Sequence, residues 1–404
     1  MLVLASCSRD KDSSDPMLPE EGQWGGGTTG DQTMLVLQIS PLDSQTTDQV
    51  PVERVNTLRI IIINKGDESH EPVIECNRLI NDLPTTIASQ LSYTLIWPTY
   101  EGKKDIYVIA NEESLPDDFI TALAVYNEKD AIDDNFKTQI QDYSFEPKYE
   151  IKDNSIYLPY TYYKDDLETK KNEVTNVAAY LVPVATKFIF NFTNKREAAV
   201  NVNSISLEAV NSQNYLFAKV GKTDSYKQLL NDDTKYYWVD WLAKVSELSH
   251  NHTGFTSYED FNDYYGWIAD YEIPTGDKSN TYHFVGNSAS IPVVKVQGIE
   301  YAANGGNVVT VGPFYIPESK NMVQKDDEGK PIKEQEYYLT MELEDTLSEN
   351  PPLQFYEIIS NLKALFRNTY VIINVKMSQG DVEVYAEIAK WEHKSINGWV
   401  IEDK

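Results

Sequence analysis

The residue types that could do chemistry are few in this chain, and none of them falls into a catalytic pattern. Five histidines occur, His70, His250, His252, His283 and His393. His250-Asn251-His252 could present two imidazoles, but a metal site needs three or four ligands at defined spacing. The pair reads as a solvated loop, and no metal or other cofactor is expected. No HExxH, GxSxG or P-loop pattern is present. The acidic pairs Asp232-Asp233 and Asp326-Asp327 lack the spacing of a calcium loop and read as turn charges. Cys76 has no reactive context and reads as a core residue. These absences predict a chain that is not an enzyme.

Two other features could carry chemistry. Cys7 follows a short apolar run, Met1–Ser6, that ends in small residues. The order Leu4-Ala5-Ser6-Cys7 resembles a lipobox, in which the thiol is acylated and the preceding peptide is removed. The run is shorter than the usual about 7–15 residues and lacks a basic start. The second feature is the aromatic stretch 255–271, in which Tyr258, Tyr264, Tyr265 and Trp267 stand among carboxylates and amides. Flat rings with polar neighbours suit sugar or peptide contact, or they pin a long loop to the fold.

These residues must be held by strands. The chain has 404 residues, of which 41% are hydrophobic, enough for two ordinary domains. Its 27 tyrosines and 7 tryptophans favour sheet. The net charge of −28 opposes binding to nucleic acid or anionic lipid. No apolar run reaches the 18 residues of a transmembrane helix. After a flexible tether over 8–30, Met34–Ser40 and Thr57–Asn64 read as buried strands. A polar linker, Pro41–Asn56, joins them, and its one basic residue is Arg54. Further strands are expected at 73–80, 91–97, 105–111 and 155–160. A turn is expected at 101–104, and a helix over Leu115–Asn127 from the spacing of Phe119, Leu123 and Tyr126. The charged stretch Lys164–Glu173 reads as a boundary between two mostly-β domains, 31–175 and 176–404. In the second, strands are expected at 177–192, 200–210, 215–218, 307–317, 337–343, 370–377 and 382–391. A long insertion over 222–283 carries a small helix near 236–248, 318–335 is a polar loop, and Gln379-Gly380-Asp381 is a hairpin turn.

Several segments together resemble the fimbrilin family, the type V pilus subunits of Bacteroidales. They are the lipobox-like Cys7, MLVLQIS, RVNTLRIIIINKG, KKDIYVIANEESL, PVATKFIFNF with VNSISL and YLF, FYIPES, and FRNTY. The resemblance covers nearly the whole chain from Cys7. It implies an all-β fold of two transthyretin-like antiparallel β-sandwich domains with a few short helices. It implies an outer membrane lipoprotein, anchored through Cys7, that becomes part of a cell-surface fimbrium. Its first strand, 34–40, would be removed by a trypsin-like protease, with Arg54 the processing candidate. The vacated place would take a donor strand, expected at 391–404, from the next subunit. The partners so implied are other pilus subunits, the outer membrane, the protease and a host or bacterial surface ligand. Stalk, anchor, accessory and tip positions all stay open, as does a glycan-binding surface lipoprotein that never polymerises.

Overall fold

The computed structural model describes residues 32–41, most of 51–220, 271–272, 281–285, 299–300 and most of 308–390. Cys7, the histidines at 250, 252 and 393, both acidic pairs, the helix expected near 236–248, the aromatic stretch 255–270 and the segment 391–404 lie outside these residues. Among the described residues the fold is mainly β, with strands making up 64% and only two short helices. Among the described residues no helix is long and apolar enough to cross a membrane.

The first half is built on β1 (Gln32–Pro41), β2 (Val52–Val55), β3 (Leu58–Asn64), β4 (Val73–Ile80), β5 (Tyr93–Tyr100) and β6 (Gly102–Ala110). Helix α1 (Asp117–Val125) follows, then β7 (Tyr160–Thr169) and β8 (Val174–Pro183). The sheet order is β4-β3-β6-β7-β8-β1-β5. β7 and β8 pair only through Tyr160↔Pro183 and Thr161↔Val182 and then diverge. The sheet therefore splits into two layers, β4-β3-β6-β7 and β8-β1-β5. Its far ends meet again across the core, where Arg78 of β4 lies 4.5 Å from the ring centroid of Trp97 in β5.

The run RIIII illustrates why a continuous apolar stretch forms a strand here. Ile60 and Ile62 face the core between the two layers, and Ile61 and Ile63 face a second cluster under α1. A strand buried on both faces has no polar side to alternate with. Phe119 and Leu123 of α1 cover that outer cluster, and Asp117 and Asp118 occupy the first turn, where the helix dipole favours negative charge.

The second half carries β9 (Thr186–Asn194), β10 (Val200–Glu208), β11 (Thr281–Val285) and β12 (Val308–Ile316). It continues with β13 (Tyr338–Asp345), β14 (Leu353–Ile358), β15 (Thr369–Ser378) and β16 (Asp381–Lys390). One sheet runs β12-β9-β15-β16, the other β11-β10-β13-β14. Phe188, Phe190 and Phe192 of β9 fill the core between them.

Several expectations need correction. The linker Pro41–Asn56 holds β2, which pairs with Thr86–Ile87 on one side and Ser155–Ile156 on the other. Gly102–Lys104 begins β6 rather than forming a turn; Gly102, at φ +124°, supplies the tight bend. The charged stretch Lys164–Glu173 is the later part of β7 and its connection to β8, and β8 continues across residue 175 while pairing with β1. The chain passes between the cores at Val184-Ala185, both buried. The loop 318–335 contains the paired strands Val323–Lys325 and Pro331–Glu334. The sheets are mixed rather than purely antiparallel: β1 runs parallel to β8, and β9 parallel to β15.

Candidate functional site at the first strand

β1 is the middle strand of the β8-β1-β5 layer. Its side chains alternate strictly, with Leu35, Leu37 and Ile39 at 0–1% exposure and Met34 and Gln38 facing out. Register places Leu35 between Trp97 and Thr175, Leu37 between Leu95 and Val177, and Ile39 between Tyr93 and Ala179. Each buried aliphatic side chain stabilises its place by about 1.5–3 kcal/mol. Among the described residues β5 pairs with no strand but β1. Without β1, three apolar holes open and both β8 and β5 present unpaired backbone. β5 marks itself as the edge through Pro98, which has no N–H to give to a further strand.

The segment after the linker is held at several points. Arg54 Nε donates to Ser155 Oγ at 3.0 Å. Asn111, in the left-handed region at φ 56°, spans the Arg54–Val55 bond. Its Nδ2 donates to the Arg54 and Leu158 carbonyls at 2.8 and 2.7 Å, and its Oδ1 accepts from Asn56 N at 2.8 Å. Glu112 accepts from Arg59, and Glu113 from Thr57. The stretch ANEES thus serves as a strap over residues 54–59. Arg54 stands in a strand with both neighbours occupied, not in an open loop.

Glu53, one residue earlier, is buried against the second half. Its Oε1 accepts from Lys187 Nζ at 2.9 Å and Tyr315 OH at 3.1 Å, and its Oε2 from Tyr160 OH at 3.2 Å. Lys187 Nζ also lies 5.6 Å from the Tyr370 ring centroid. Burial first, and then the Glu53 charge, push the Tyr160 and Tyr315 hydroxyls well above the ordinary phenol value. A second buried pair joins two separate landmarks of the sequence. Arg367 of FRNTY meets Glu318 of FYIPES with Nη2–Oε2 at 2.6 Å, and its Nη1 donates to the Leu216 carbonyl at 2.8 Å.

Neither Glu53 nor Lys187 was legible as a paired group in the sequence. Lys187 interrupts the apolar run VPVATKFIFNF, which was the available signal. Cys76 is buried, and its thiol donates to the Ile60 carbonyl at 3.7 Å. His283 lies in β11, paired with Ser206. Among the described residues no group of three or more His, Cys, Asp or Glu is placed to hold a metal.

No family model matches the chain, and no curated protein matches it. Among solved structures the chain is similar to the tip fimbrial protein Mfa3 from Porphyromonas gingivalis with C-terminal truncation. That match has 12% identity and a TM-score of 0.48, and covers 89% of this chain and 100% of that one. It is also similar to a fimbrial assembly protein from Parabacteroides distasonis, at 11% identity and a TM-score of 0.42, over 89% of this chain and 98% of that one. Another similar structure is a putative cell adhesion protein from Bacteroides eggerthii, at 11% identity and a TM-score of 0.46, over 91% of this chain and 98% of that one.

Proposed function

We propose that this chain is a non-enzymatic structural subunit of a cell-surface fimbria, exported as a lipoprotein through Cys7 and joined to other subunits at the place of β1. The observation that carries this reading is the position of β1. It is an interior strand that fills a core with three alternating apolar side chains, yet residues 42–51 separate it from β2. A strand from another chain with the same alternation would satisfy the same pockets and the same two backbone edges. In the polymerising form, a trypsin-like protease cuts after Arg54, β1 departs, and residues 391–404 of a neighbouring subunit take its place.

The strap over Arg54 favours a second reading alongside it. A cut after Arg54 would remove Glu53 together with β1 and leave Lys187 buried without its carboxylate, at a cost of about 3–5 kcal/mol. A subunit held in this way keeps β1 and its lipid, as an anchor does. Ligand contact by Tyr258, Tyr264, Tyr265 and Trp267 would add a tip role to the same scaffold.

The test is N-terminal sequencing of the mature protein before and after trypsin-like treatment, together with unheated gels. A chain starting at Val55 with a ladder of multiples establishes strand removal and polymerisation. A chain still starting at Cys7 that co-purifies with surface fibres establishes the anchor. A single band that neither ladders nor accompanies fibres overturns the fimbrial reading.

A further inference from the structure

Lys104, Asn64 and Glu75 form a buried cluster at one end of the first core. Asn64 and Lys104 are direct cross-strand partners on β3 and β6. The parity of each strand points them inward, in line with Leu58, Ile60 and Ile62 on one side and Ile106 and Val108 on the other. All three are buried, Lys104 completely. Glu75 reaches them because β4 carries an irregularity there: Ile62 pairs with Cys76 and Ile63 with Ile74, so Glu75 is the extra residue. A bulge of this kind re-aims one side chain out of the regular alternation. One oxygen, Glu75 Oε1, receives both Lys104 Nζ at 3.0 Å and Asn64 Nδ2 at 2.9 Å. Thr99 holds the other oxygen. The Asn64 carbonyl oxygen accepts from Gly66 N at 3.0 Å.

We infer that this cluster is a site of self-modification, in which Lys104 and Asn64 join through an intramolecular isopeptide bond with Glu75 as the catalytic carboxylate. The parts have the roles that acyl transfer requires. Lys104 Nζ attacks Asn64 Cγ while a proton passes to Glu75. The Gly66 N–H already sits on the oxygen that gains charge in the tetrahedral intermediate. The Cγ–Nδ2 bond then breaks as Glu75 delivers a proton to Nδ2. Ammonia leaves, and no oxidant or further reactant is needed. Burial lowers the Lys104 ammonium pKa from 10.5, with the Glu75 charge opposing, which makes the neutral, nucleophilic amine more accessible. The shared carboxylate oxygen brings amine and amide together before reaction, the condition under which such steps become effectively unimolecular. The product ties the end of β3 to the start of β6 and encloses the β4–β5 segment in a covalent loop.

The intact mass of the purified, folded wild-type chain, measured after denaturation, decides the matter. The expected mass is lighter than the sequence by one ammonia. Trypsin should release a branched peptide joining 60–65 to 104–129, because an acylated Lys104 resists cleavage. Full sequence mass, with Lys104 cleaved normally, would overturn the inference and leave an ordinary buried ion pair. Asn64→Ala should restore the unlinked mass of its own sequence. Glu75→Gln should do the same while keeping the side-chain volume, and a linked Glu75→Gln chain would remove Glu75 from its assigned role. Should either variant fail to fold, the wild-type mass stands as the test by itself.

Discussion

The two halves of the molecule place their opening strands alike and tether them differently. β1 lies between antiparallel β5 and parallel β8, and β9 lies between antiparallel β12 and parallel β15. Each drives three alternate side chains into its core, Leu35, Leu37 and Ile39 in one case and Phe188, Phe190 and Phe192 in the other. β9 follows β8 after two buried residues, Val184 and Ala185, and cannot leave without pulling the halves apart. β1 is separated from β2 by residues 42–51. The same structural place is joined to the next strand by two residues in one half and by ten in the other, and the proposed strand exchange rests on that contrast.

The largest expected effect comes from the buried Arg367–Glu318 pair, whose guanidinium also donates to Thr161 of the first half at 3.4 Å. Arg367→Met removes the guanidinium that neutralises the buried Glu318 carboxylate, and should cost about 3–5 kcal/mol. Denaturant unfolding should show both halves losing stability together; loss confined to the second half would mean that the halves are independent. Next, Leu37→Ala should cost about 2–5 kcal/mol and Phe190→Ala about 3–5 kcal/mol. An excess of a free peptide with the sequence of residues 32–41 should restore the first variant, and no peptide of 186–194 should restore the second. Equal behaviour of the two variants would erase the comparison.

A smaller effect depends on pH. The Tyr160 and Tyr315 hydroxyls are raised well above 10.0 in the folded chain by burial and by Glu53. Their contribution is therefore complete below pH 10 and is lost as pH rises past 10 toward the folded-state values, because the unfolded phenols ionise first. Tyr315→Phe should cost about 1–3 kcal/mol at neutral pH and flatten this alkaline decline. An unchanged alkaline slope would show that the phenol does not carry it. The smallest effect on stability is expected of Arg54→Ala, within about 0.5 kcal/mol, since its side chain is only half-buried. Asn111→Ala should speed trypsin cleavage after Arg54, because it frees the carbonyl of that bond. An unaltered rate would mean that Asn111 does not guard it.

The strands of both cores were legible because their patterns are local. The alternation of MLVLQIS and the double-faced run RIIII each specify an element without reference to distant residues. β2 was missed because it is short, lies in a polar stretch and owes its pairing to Thr86–Ile87 and Ser155–Ile156. The charge of Lys164–Glu173 reads as a linker, but the stretch is the later part of β7 and its connection to β8, and composition alone does not separate such a connection from a linker. The parallel pairings were equally hidden, since register between β1 and β8 links residues far apart in sequence. The buried groups Glu53, Lys104 and Lys187 left a faint trace, a charge at an apolar parity position, but their partners lie on other strands. Arg54 reads as a linker residue in the sequence because the stretch around it is polar, but it lies in β2, and the asparagine that holds it is not legible there.

The most direct measurement is strand complementation. A chain beginning at residue 42 is refolded with and without a peptide of residues 32–41, and complex formation is followed by native mass and by denaturant midpoint. One peptide bound per chain, with a raised midpoint that Leu37→Asp in the peptide abolishes, is the predicted result. A shortened chain that folds to full stability alone and takes up no peptide would contradict the claim that the place of β1 is open to a strand from another molecule.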